Sequence, residues 1–165
     1  MPKIAALSLC LGLICAASAR AEPPPAVQAF LDSLKPLAGE DVTLFAIPPQ
    51  IAFNYTVDAE RLVTIACEFK AKAGQAGGRE LLRLLSDPAP KVDVRLHSVE
   101  LRIGVIAGDL KFYLDNFGVV RGAGSPLIYS REKAAAIRRL ARSADFTLVD
   151  AHGADCTKPW REIGQ

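Results

Sequence analysis

Few residues in this chain carry obvious chemistry. The segment Asp150-Ala151-His152-Gly153-Ala154-Asp155 gathers two carboxylates and one of only two histidines. His152 offers a nitrogen ligand and Asp150 and Asp155 offer oxygen, a set that suits a hard or borderline cation. On that reading the chain is a small secreted hydrolase or metal-dependent enzyme. The plainer reading is a polar, solvated turn, and it is preferred because a closed metal site takes more ligands than this segment supplies. No G-x-S-x-G elbow, H-E-x-x-H or C-x-x-C occurs. His97 beside Ser98 is a poor base–nucleophile pair, since neighbouring residues on a strand point to opposite faces. Gly122-Ala123-Gly124-Ser125-Pro126 lacks the lysine of a phosphate loop, and Pro126 removes a donor N–H, so it reads as turn chemistry. Nothing in the spacing of the acids selects a catalytic pair. No cofactor is expected, and the motifs lean against an enzyme.

Arginine is the more suggestive residue. At about 100° per residue, Arg131, Arg138, Arg139 and Arg142 fall within roughly one quadrant of a helix. Ile137, Leu140, Ala136 and Ala144 lie on the opposite side. A solvated face over a buried stripe accounts for this pattern. The sharper reading is a patch for an anionic partner: an envelope polymer, lipid head groups or an acidic protein, because guanidinium suits carboxylate and phosphate. Trp160, the only tryptophan, stands in Lys158-Pro159-Trp160-Arg161, either tucked against the core or exposed as a contact.

The cysteines point to a compartment. Residues 1–21 hold a positive start at Lys3, an uncharged apolar run over 4–18 and the small-x-small site Ala19-Arg20-Ala21, the pattern of a cleaved secretory signal. The run is shorter than the roughly 20 apolar residues a membrane span needs, and charges interrupt every later apolar stretch, so no spanning segment is expected. Leu9 and Ile14 precede Cys10 and Cys15, where lipid attachment requires a small residue. The expected product is therefore 22–165, a single soluble domain, periplasmic or secreted. Lys3 and Arg20 leave with the signal, so 18 residues of each sign remain and the net charge is zero. Export and zero net charge disfavour nucleic acid. Outside the cytosol the surviving pair, Cys67 and Cys156, is expected to form a disulfide. Closing a loop of about 90 residues contributes at most about 4–5 kcal/mol.

Stepping along the chain, Val27, Phe30, Leu31 and Leu34 mark one face of a helix that Pro36 and Gly39 end. Period-two patterns predict strands over 42–47, 51–57 and 61–70, the last carrying Cys67 inward with Val63, Ile65 and Phe69. Residues 71–78 read as a small-residue loop and 79–86 as a short helix. A two-residue Gly108-Asp109 turn predicts a hairpin with Val105 facing Phe112, Ile103 facing Leu114 and Arg102 facing Asp115. Just before it, His97-Ser98 is either a second turn or a bulge. Residues 117–121 continue or end the ladder, and 127–129 form a short strand. Ser130 caps the helix over 131–143, 146–149 is a last strand, and 150–165 is a tail. The fold class is α+β: a mainly antiparallel sheet of about six to eight strands, with three helices on one face and one disulfide.

These readings favour a small exported binding or interaction protein, with an inhibitor or immunity-type protein as a variant of the same traits. Material recovered from an exporting host should have the mass of 22–165 and no thiol that iodoacetamide labels before reduction. An intact residue 1, or two labelled thiols, would remove the basis for the export reading.

Overall fold

The computed structural model describes residues 23–90, 100–115, 117–122, 127–150 and 156–160. The proposed signal 1–21, the His97-Ser98 turn or bulge, and His152 and Asp155 lie outside the described residues. In chain order the elements are α1 (Pro25–Ser33), α2 (Pro36–Gly39, a single turn), β1 (Val42–Ala46), α3 (Ala59–Ile65), β2 (Cys67–Ala71), α4 (Ala76–Leu85), β3 (Ala89–Pro90), β4 (Leu101–Ala107), β5 (Leu110–Asp115), β6 (Val120–Arg121), β7 (Leu127–Ile128), α5 (Arg131–Ala141) and β8 (Thr147–Asp150).

Six strands form one sheet in the order β6-β5-β4-β1-β2-β8, and β3 pairs with β7 apart from it. Every ladder is antiparallel. An isolated bridge, Val119 to Ile128, links the two sheets. The fold is α+β, as the alternation of periods predicts.

One sheet face is buried under α1, α2, α4 and α5. Val42, Leu44 and Ala46 of β1, Cys67 and Phe69 of β2, Val105 of β4 and Phe112 of β5 meet Phe30, Leu37, Leu81 and Ile137 there. Phe30 meets Phe112 edge-on, with ring centroids 5.4 Å apart. Such a pair adds about 0.5–1.5 kcal/mol beyond its burial. The Cys67–Cys156 disulfide, with Cα atoms 5.6 Å apart, fastens the chain beyond β8 onto β2. Both cysteines are buried.

The hairpin forms as its turn chemistry dictates. Ala107 pairs with Leu110 across Gly108-Asp109, Val105 with Phe112 and Ile103 with Leu114. Gly108 has φ of 55°, and a Cβ there would also collide with the Glu40 carboxylate.

Beyond Ile103 the expected register fails. A bulge sets Leu101, not Arg102, opposite Asp115. Asp115 is better used elsewhere: Oδ1 accepts from Phe117 N at 2.8 Å and Val119 N at 2.9 Å, satisfying two amides of the β5–β6 turn. Arg102 instead pairs with Glu100 and donates to Ile51 O at 2.6 Å.

Three further expectations are corrected. Residues 61–70 are not one strand, because Asp58 Oδ1 accepts from Arg61 N at 2.9 Å and caps α3 before the chain turns into β2. Val63 and Ile65 therefore pack with Leu62 on the second face of the sheet, against Phe45 and Leu101, so the helices do not all lie on one face. Residues 51–57 make no strand, because β1 is already flanked by β2 and β4 and Pro48-Pro49 offers no N–H. Their contacts with β4 are single ones: Val57 O accepts from Leu101 N at 2.9 Å, and Ile51 O accepts from the Arg102 side chain. Finally, the supposed loop at 76–78 is the first turn of α4. Gly77 and Gly78 are buried there, where a Cβ on Gly78 would overlap the Leu37 carbonyl of α2.

That close crossing gives a test. Gly78→Ala should lose roughly 1–3 kcal/mol through overpacking, a drop of several degrees in Tm. Gly39→Ala, whose Cβ meets nothing within 4 Å, should leave Tm within a degree or two or raise it. Equal midpoints for the two variants would contradict the α2–α4 packing.

Candidate functional site

Helix α5 begins where Ser130 Oγ accepts from Lys133 N at 3.2 Å, the cap its sequence predicts. Two side chains pin this end to the C-terminal end of α4 and the residues just beyond it. The Tyr129 hydroxyl donates to Leu85 O at 2.7 Å, and Lys133 Nζ donates to Asp87 O and Oδ2, each at 3.0 Å. Burial, with the Asp87 charge added, pushes the Tyr129 phenol far above its ordinary pKa and keeps it a neutral donor.

Ala134, Ile137, Leu140 and Ala141 form the buried stripe of α5. Arg138 borders that stripe and is only 9% exposed, so it belongs to the packing rather than to the open face. Its charge reaches Arg102. Burial lowers the pKa of the Arg102 guanidinium, the neighbouring Glu100 opposes that shift, and Arg138 adds to it.

Arg131, Arg139 and Arg142 are exposed. Two of them lie over aromatic rings. The Arg131 guanidinium stands 5.8 Å from the Phe117 ring centroid, and that of Arg142 stands 5.2 Å from the Trp160 ring. Trp160 in turn meets Phe69 of β2 edge-on at 5.9 Å, and its indole Nε1 is buried without a hydrogen-bond partner among the described residues. Trp160 thus packs partly buried against the core, and its ring also lies under a cation, which the sequence did not indicate. Glu132 is the acid on this side of the helix. The amide at its own position holds its carboxyl below the ordinary pKa, with Ser130 and the Arg131 charge contributing, so it stays ionised and offsets part of the positive charge.

The other candidate residues are not assembled in the described structure. Asp150 ends β8 opposite Glu68 of β2, and its partners in the sequence motif, His152 and Asp155, lie outside the described residues. Among the described residues no group of three or more His, Cys, Asp or Glu is placed to hold a metal. Nor is any described helix long and apolar enough to cross a membrane.

Sequence reasoning missed two features. A shallow groove of about 460 Å³ runs between α1 and the β4–β5 turn, lined by Phe30, Ser33, Leu110 and Lys111 among others. On the second face, Phe53 and Tyr55 touch with centroids 5.2 Å apart, Arg61 lies over Tyr55 and Arg102 over Phe53. Phe53 and Tyr55 alternate as a strand would, yet they lie in coil beneath two arginines. No protein-family model, curated protein or solved structure matches the chain.

The division of the arginines is testable in urea. Arg138→Ala should destabilise by roughly 1–3 kcal/mol through lost packing of its buried stem, whereas Arg139→Ala should stay within about 0.5 kcal/mol of the parent. Matching unfolding midpoints would return Arg138 to the solvated face.

Proposed function

We propose that this is an exported binding protein, delivered to the periplasm or the cell exterior by residues 1–21, that engages an anionic envelope component through the arginine face of α5. The observation that carries the reading is the arrangement of Arg131, Arg139 and Arg142, exposed together along α5 and its C-cap, with two of the three guanidiniums held over rings from other parts of the chain. An arginine swinging freely in solvent loses side-chain entropy when it binds. One already stacked on a ring has lost part of that freedom, and its planar fork still offers its N–H edges. The disulfide is in keeping with an oxidising destination.

Because the chain without 1–21 has no net charge, retention on a polyanion reports a local patch rather than bulk attraction. The oxidised 22–165 protein should be retained on immobilised heparin and released by salt. Changing Arg131 and Arg139 together to Ala removes two exposed cations worth up to about 1 kcal/mol each, so affinity at low salt should fall roughly tenfold. Identical elution of parent and double variant, or no retention of either, would end this reading.

A further inference from the structure

We infer that the anionic component is a lipid surface, on which α5 lies with Phe117 as an apolar anchor. This inference rests on the anion-binding reading above and narrows it. Phe117 is 55% exposed, the most exposed of the large hydrophobic side chains among the described residues. It does not dangle. Asp115 Oδ1 accepts from its N–H, Gly118 N donates to Asp115 O at 3.1 Å, and Tyr129 N donates to Gly118 O at 2.9 Å. Gly118, with φ of 82°, closes that turn against the Tyr129 carbonyl, where a Cβ would collide. These hydrogen bonds fix the backbone on either side of an exposed aromatic ring beside the first arginine of α5.

The same pairing recurs at the other end of the helix, where Trp160 lies under Arg142. Arg131 and Arg142 project in nearly the same direction, about 20° apart around the axis and about 16 Å apart along it. A ring and a guanidinium thus stand together at each end of the helix. Exposed Arg139 adds a third cation, and Glu132 is its one nearby exposed acid on the helix.

Rings that are apolar on the body, set at the level of cations, suit the boundary between acyl chains and head groups. A soluble polyanion would satisfy the arginines and leave the Phe117 ring in water. An acidic protein would need its own apolar pocket for that ring. A bilayer supplies both environments at one depth. Each basic residue near an anionic leaflet strengthens attachment roughly fivefold, so the three arginines together give roughly a hundredfold preference for charged over neutral lipid.

The test uses the oxidised 22–165 protein and two kinds of vesicle, phosphatidylcholine alone and phosphatidylcholine mixed with phosphatidylglycerol in equal parts, with binding read by co-sedimentation. The parent should bind the mixed vesicles and not the neutral ones, with binding lost at high salt. Phe117→Ala should bind the mixed vesicles roughly tenfold more weakly with its Tm unchanged. Lipids brominated near the head group should quench Trp160, the sole tryptophan, in the parent protein, a readout that needs no variant. Retention on heparin without vesicle binding overturns the lipid inference and leaves the anion-binding reading standing. Failure on both surfaces removes both. Mixed-vesicle binding that is indifferent to Phe117 and gives no quenching overturns the docking geometry.

Discussion

Strand β1 has both hydrogen-bonding edges occupied, by β2 on one side and β4 on the other, and much of the architecture follows from that constraint. Its two faces are occupied as well. Leu44 and Ala46 look toward the large helical layer, while Phe45 looks toward α3. A segment leaving β1 has no open edge to join, so the chain after Pro48-Pro49 crosses the second face as coil. It does so by accepting single hydrogen bonds, Val57 O from the β4 backbone and Ile51 O from the Arg102 side chain. The small second core around Leu62, Ile47 and Val57 exists because that crossing needs something to lie on.

The parts of the fold legible in the sequence are those governed by local backbone chemistry. Gly108 takes a positive φ that few residues tolerate, so Gly108-Asp109 announced a hairpin and fixed Val105 against Phe112. Ser130 before Arg131 announced a helix start, and an even pair of cysteines announced a bond. The illegible parts depend on neighbours distant in sequence. Arg61, Val63 and Ile65 alternate as a strand would, yet one hydrogen bond from an amide to Asp58 tips the segment into a helix, and the second face of the sheet gives it somewhere to bury Leu62. Gly77 and Gly78 resemble a flexible loop until α2 and Phe146 are set against them. Arg102 and Asp115 are complementary in charge, but Asp115 gains more from two backbone donors in its own turn.

The candidate site divides along the same line. A period of 3.6 residues was enough to place Arg131, Arg139 and Arg142 on one side of α5. It could not separate Arg138 from them, because the boundary of a buried stripe depends on what is packed beside it. Nor could it supply Phe117 and Trp160, which come from a β-turn and from the chain beyond β8. The rings turn a list of basic residues into a surface with fixed geometry, and they are contributed by tertiary structure alone. The Asp150, His152 and Asp155 proposal lacks such support, since only the backbone of Asp150 falls among the described residues.

The sulfur bridge has one more consequence. Cys156 sits a few residues before Trp160, so the bond works as a leash that keeps the indole at high effective concentration next to Phe69. Among the described residues the ring itself meets Phe69 and Arg142. The bond thus anchors the chain four residues before the ring that lies beneath Arg142.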